Sequence, residues 1–123
     1  MYKIAIRMHP EVLFCNTNHS IEAIIRIENK GKNPVWAEAE LKVPEKISLS
    51  PDTELHRGKV RLGIVSNGEF LEKSVRIFGN RYTSPQMYPV SMIIYTFDRD
   101  GIIESRIEKK ANIRCEKKKE ESI

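Results

Sequence analysis

The sequence predicts an all-β chain folded as a sandwich of two antiparallel sheets. Apolar and polar residues alternate with a period of two through most of its 123 residues, as where Ile21, Ala23, Ile25 and Ile27 alternate with Glu22, Arg26 and Glu28. That period marks strands with one face buried. Turn-forming residues recur roughly every ten positions, which suits short strands. No stretch shows a convincing helical period.

Residues 2–8 form the first strand, with Tyr2, Ile4, Ile6 and Met8 on one face and Lys3, Ala5 and Arg7 on the other. His9-Pro10 interrupts it, because proline cannot donate to a ladder. Residues 12–16 resume as a short strand. A first strand that breaks at proline and passes from one sheet to the other is a device of immunoglobulin-like sandwiches. Residues 21–29 and 35–43 read as two strands and a turn, with Gly31 and Pro34 in the turn. Residues 45–58 read as an irregular crossing loop from which Ile47 and Leu49 dip into the core. Residues 60–65 form a short strand, Ser66-Asn67-Gly68 a turn of the hairpin type, and 69–78 a longer strand. Residues 88–97 are the most hydrophobic strand. Asp98-Arg99-Asp100-Gly101 makes a hairpin turn with Gly101 left-handed, and 102–115 is the last strand. The sum is an immunoglobulin-like Greek-key sandwich of seven to eight strands. One domain spans 1–115, and 116–123 is a charged flexible tail.

A single domain of this length buries enough surface to fold without a disulfide or a metal. No apolar run reaches the roughly 20 residues of a membrane span, and MYKIAIRMHP lacks the apolar core of a signal peptide. A cytoplasmic location away from membranes is expected if Met1 is the native start. Glu, Lys, Arg and Ile dominate while Gln occurs once, a bias resembling heat-adapted proteins. The formal charge of +4 lies mostly in residues 106–123, where seven basic residues meet four acidic ones.

Certain idioms resemble a known family. IRIENKGKNPVWAEAELKVPEKISLSPD, LGIVSNGEFLEKSVRI and the stretch from Tyr88-Pro89-Val90 to Asp98-Arg99-Asp100-Gly101 resemble immunoglobulin-like modules of the CARDB type of archaea and bacteria. The resemblance spans most of residues 21–113. It implies the sandwich, and it implies little about function, because such folds serve many roles.

No enzyme constellation stands out. His9, His19 and His56 fall in loops or at a kink without a neighbouring nucleophile, and read as solvated loop residues. Glu38 and Glu40 read as a solvated strand face rather than paired catalytic carboxylates. Asp98 and Asp100 lack the later ligands of a calcium loop, and Cys15 with His19 is at most half a zinc site. The chain is therefore expected to be no enzyme and to hold no cofactor or metal. Cys15 and Cys115 fall near one end of the pairing between the short strand and the last. This topology allows a disulfide, with two buried thiols as the alternative.

The surface departs from blandness where aromatic residues gather. Val35, Ala37, Ala39, Leu41 and Val43 take the core face, so Trp36 points outward. On residues 88–97 both faces are apolar. If these strands are neighbours, Trp36, Ile93, Tyr95 and Phe97 join in one outer patch. That patch is a partner-binding interface, or ordinary core if residues 45–58 or the chain end fold over it. Function follows from this reading: a protein interaction or assembly module, its partner being another protein or a second copy in a homodimer. The alternative is binding of nucleic acid or another anionic polymer through Lys109, Lys110, Arg114, Lys117, Lys118 and Lys119. The glutamates among them weigh against it.

Overall fold

The period-two pattern becomes nine strands in the computed structural model, which describes residues 1–15 and 19–117. They are β1 (Tyr2–His9), β2 (Val12–Cys15), β3 (Ser20–Asn29), β4 (Val35–Lys42), β5 (Ile47–Ser48), β6 (Arg57–Val65), β7 (Phe70–Gly79), β8 (Gln86–Phe97) and β9 (Ile103–Lys117). One sheet has the order β1-β3-β7-β5 and the other β2-β9-β8-β4-β6. All pairings are antiparallel except β2 with β9, which run parallel as the kinked first strand implies. Among the described residues there is no helix long and apolar enough to cross a membrane.

The core lies between the sheets. Ile21, Ala23, Ile25 and Ile27 of β3 and Ile77 of β7 meet Ala37, Ala39 and Leu41 of β4 and Val90, Met92 and Ile94 of β8, all buried. Fully burying an Ile or Leu side chain contributes about 1.5–3 kcal/mol, so this double layer is the main source of stability. The polar atoms it encloses are satisfied: Thr96 bonds Ser105 by its hydroxyl, and among the described residues no buried side-chain polar atom lacks a partner.

The structure corrects several sequence expectations. Among the described residues there are nine strands, not seven to eight, because β5 adds two residues from the supposed loop 45–58 to the edge of β7. Two residues are too few to show a period. Strands β3 and β4 do not pair with each other; they belong to different sheets and face one another across the core. The Ser66-Asn67-Gly68 turn likewise carries the chain from one sheet to the other, so it joins no hairpin. Local turn chemistry gives the reversal of direction but not which strand lies next door. Between β8 and β9 the hairpin does form, with Gly101 at φ 77°. Glu116 and Lys117 are strand rather than tail, pairing with Phe14 and Cys15, while 118–123 fall outside the described residues.

Candidate functional site

The outer face of the five-stranded sheet can be read in rows across β6, β4, β8 and β9. The first row is Ile64, Trp36, Phe97 and Ile103, without a charge. The second is Arg61, Glu38, Tyr95 and Arg106, and the third Lys59, Glu40, Ile93 and Glu108. The fourth is Arg57, Lys42, Ser91 and Lys110. All four residues of the expected patch therefore lie on this face, with Trp36 directly opposite Phe97. Tyr95 and Ile93 lie among charges, and the apolar surface is concentrated in the first row.

Two irregularities build that row. Pairing of β4 with β6 steps from Glu38↔Arg61 to Ala37↔Gly63, which leaves Leu62 over. Gly63 adopts φ 116°, which glycine tolerates, and the extra residue reverses the faces beyond it. Leu62 stays inward, and Ile64 turns outward beside Trp36 with 63% of its surface exposed. Pairing of β8 with β9 steps from Thr96↔Ser105 to Phe97↔Ile103, leaving Glu104 over and placing Ile103, 56% exposed, next to Phe97. Sequence reasoning missed both isoleucines. A glycine inside a strand pattern is the signal that could have revealed the first.

Trp36 is half-buried, and its indole Nε1 donates to Glu38 Oε1 at 3.2 Å, which fixes the ring along β4. Beside it a hollow of about 280 Å³ is lined by Glu38, Glu40, Lys59, Tyr95, Phe97 and Ile103. Arg61 and Arg57 approach Glu38 and Glu40 at 4.0 and 3.9 Å. Within residues 45–58, Ile47 and Ser48 join the other sheet, where Ile47 enters the core, and Arg57 and Gly58 begin β6, so this loop does not cover Trp36.

A second hollow, about 880 Å³, opens at the adjoining end of the sandwich between the N-terminus and the turns 30–34 and 98–101. Lys30, Lys32 and Arg99 line it with Asp98 and Glu104. Asp98 Oδ1 accepts the backbone N–H groups of Asp100 and Ile102, and so shapes its own turn. Glu104 Oε2 accepts the Tyr2 hydroxyl at 2.8 Å; burial, then this hydrogen bond, raises the Tyr2 pKa. Asn29, fully buried, ties the end together: its Nδ2 donates to the carbonyls of Asn33 and Val65, and its Oδ1 accepts the Gly31 N–H.

The other residues singled out by the sequence are dispersed or engaged elsewhere. Along β9, Lys110 and Arg114 take the outer face while Lys109 and Lys117 take the opposite one, and Arg114 pairs with Glu116 at 2.7 Å. Lys118 and Lys119 lie outside the described residues. Cys15 and Cys115 are both buried and free, on the neighbouring strands β2 and β9. Burial, with Cys15 adding to it, pushes the Cys115 thiol up to about 11. The histidines are not uniformly solvated. His19 Nδ1 accepts the Phe14 N–H and His56 Nδ1 sits 3.0 Å from the Ile47 carbonyl oxygen, while His9 is exposed.

No family model matches the chain, and no curated protein matches it. A solved structure similar to it is that of AvmM, which catalyzes macrocyclization in alchivemycin A biosynthesis. The two share 12% identity at a TM-score of 0.52, over 98% of this chain and 92% of AvmM. At that identity the likeness shows the fold. It also overturns the expectation that the chain is no enzyme: an architecture of this kind supports catalysis in AvmM, and a fold takes its chemistry from the site built on it. The missing familiar residue set is no ground for excluding a reaction.

Proposed function

We propose that the chain is an immunoglobulin-like interaction module that docks another protein on the outer face of its five-stranded sheet. The observation that carries this is the first row, in which Ile64, Trp36, Phe97 and Ile103 form an unbroken apolar line across four strands. Ordinary strand faces mix such residues with charges, as the second and third rows do, and the fourth row is wholly polar. Two bulges are spent on bringing isoleucines outward, which a face meant only for water does not require. Aromatic residues bury large areas at little entropic cost, so Trp36 and Phe97 suit the centre of an interface.

The immunoglobulin-like assignment is supported by a first strand shared between the sheets and by Tyr88. At the start of β8, its hydroxyl accepts the Ser84 N–H at 2.9 Å and lies 3.1 Å from the Ser84 carbonyl oxygen, in the manner of a tyrosine corner. One departure is that β5 occupies the place beside β7 that strand D holds in immunoglobulin domains, yet precedes β6 in the chain. The idioms that resemble CARDB modules agree with this reading.

The test is co-purification with the native chain and with an Ile64→Glu/Ile103→Glu variant. Both positions are exposed, so the variant's melting temperature should stay within about 2 °C of the native value. Partners held by the native chain should be lost from the variant. The same partners on both would contradict the proposal.

A further inference from the structure

We infer that the apolar row and the basic hollow beside it form one docking site, and that its occupant is an acidic segment of another protein carrying a bulky aliphatic side chain. The inference rests on the interaction reading above and adds the chemistry of the partner.

Charge is the first ground. Rows two and three set three cationic side chains against three carboxylates, and row four, farthest from the apolar row, adds Arg57, Lys42 and Lys110 without a carboxylate. Around the 880 Å³ hollow, Lys30, Lys32 and Arg99 have no carboxylate within 4.0 Å among the described residues. The two carboxylates of that hollow accept hydrogen bonds from the Asp100 and Ile102 N–H groups and from the Tyr2 hydroxyl and keep their charge, so its lining sets three cationic side chains against two carboxylates. Cations without an ion-pair partner thus lie beside the uncharged row on the hollow's side, and an acidic partner complements them.

Geometry is the second. The hollow and the row are contiguous in the chain: Pro34 and Val35 of its wall lead into Trp36, and Asp98 follows Phe97. Three strand spacings separate Ile64 from Ile103, about 14 Å, the reach of roughly four to five extended residues. A segment of that length sets an aliphatic side chain against Trp36 and Phe97 and its carboxylates against Lys30, Lys32 and Arg99. A second copy fits less well, because two-fold pairing brings the same patch against itself and sets its excess of positive charge face to face. Nucleic acid supplies negative charge but no aliphatic anchor for Ile64 and Ile103.

Trp36 is the only tryptophan of the chain, so its emission reports on the site directly. The probes are a synthetic peptide of alternating Glu and Leu, its twin with Lys in place of Glu, and a single-stranded oligothymidylate. The Glu-Leu peptide should shift Trp36 emission to the blue, saturably, and bind at least about tenfold more tightly than the Lys-Leu twin. A Lys30→Glu/Lys32→Glu/Arg99→Glu variant, altered only at exposed positions, should bind it on the order of tenfold more weakly. Equal binding of the two peptides, no effect of the triple variant, or no shift up to millimolar peptide overturns the acidic partner. In those cases the docking face still stands if Ile64→Glu/Ile103→Glu loses its co-purifying partners, and falls if it does not. Tighter binding of the oligothymidylate overturns the inference in favour of a polyanion. A doubled mass by light scattering that excludes the peptide overturns it in favour of a second copy.

Discussion

Asn29 shows how much of the loop end depends on one amide. Its three side-chain hydrogen bonds join the end of β3 to the 30–34 turn and to Val65 at the end of β6, and its main chain bonds Glu69 and Gly68. Each such bond contributes about 1 kcal/mol net, and more is lost when buried partners are left unpaired. Asn29→Ala should therefore cost about 2–3 kcal/mol in urea denaturation and loosen the turn that carries Lys30 and Lys32. That an asparagine closes the strand was readable in the sequence; that it clasps Val65, 36 positions away, was not. Trp36 was readable as outward from alternation alone. Cys115 makes a separate residue-scale prediction. A thiol raised in the folded state from 9.0 to about 11 favours folding fully below the lower value, and that contribution is lost as pH rises to about 11. Between about pH 8 and 11 the native chain should lose more denaturation midpoint than Cys115→Ala does. Equal losses would remove Cys115 from the alkaline response.

Among the elements, the bulges decide what the site is. Regular pairing through residues 61–65 would turn Ile64 into the core and Val65 out; the extra residue at Leu62-Gly63 does the reverse. Gly63→Ala should cost about 1–2 kcal/mol, since the backbone is left-handed there while the added Cβ meets Leu71 at an ordinary 3.5 Å. It should also weaken partner binding as far as Ile64 is displaced, which a binding titration beside a denaturation curve resolves. Strand existence was legible almost everywhere because one face of most strands is buried. Register was not, since pairing partners lie far apart in the chain and a single inserted residue inverts the faces. The same alternation that marked β9 as a strand divides its basic residues between two faces, which a simple charge count along the sequence does not reveal.

At the scale of the whole molecule, the sandwich gathers the starts of β4 and β9 and the ends of β6 and β8 at one place, with the turns 30–34 and 98–101 beside them. The sequence showed the four aromatic and aliphatic residues of the expected patch but joined them in one surface. The fold separates Trp36 and Phe97, in an apolar row, from Tyr95 and Ile93 among charges. It also supplies the basic hollow, whose Lys30, Lys32 and Arg99 come from turns far apart in the chain. Likeness to AvmM shows that a sandwich of this shape can also carry a reaction, so the docking role has to be tested on the face itself. Acrylamide quenching of Trp36, in the free chain and in its purified complex with a partner, does so most directly. If the outer face is the docking site, the quenching constant falls at least about twofold on complex formation, because the bound partner excludes solvent from the ring. An unchanged constant in a complex whose stoichiometry has been verified would contradict it.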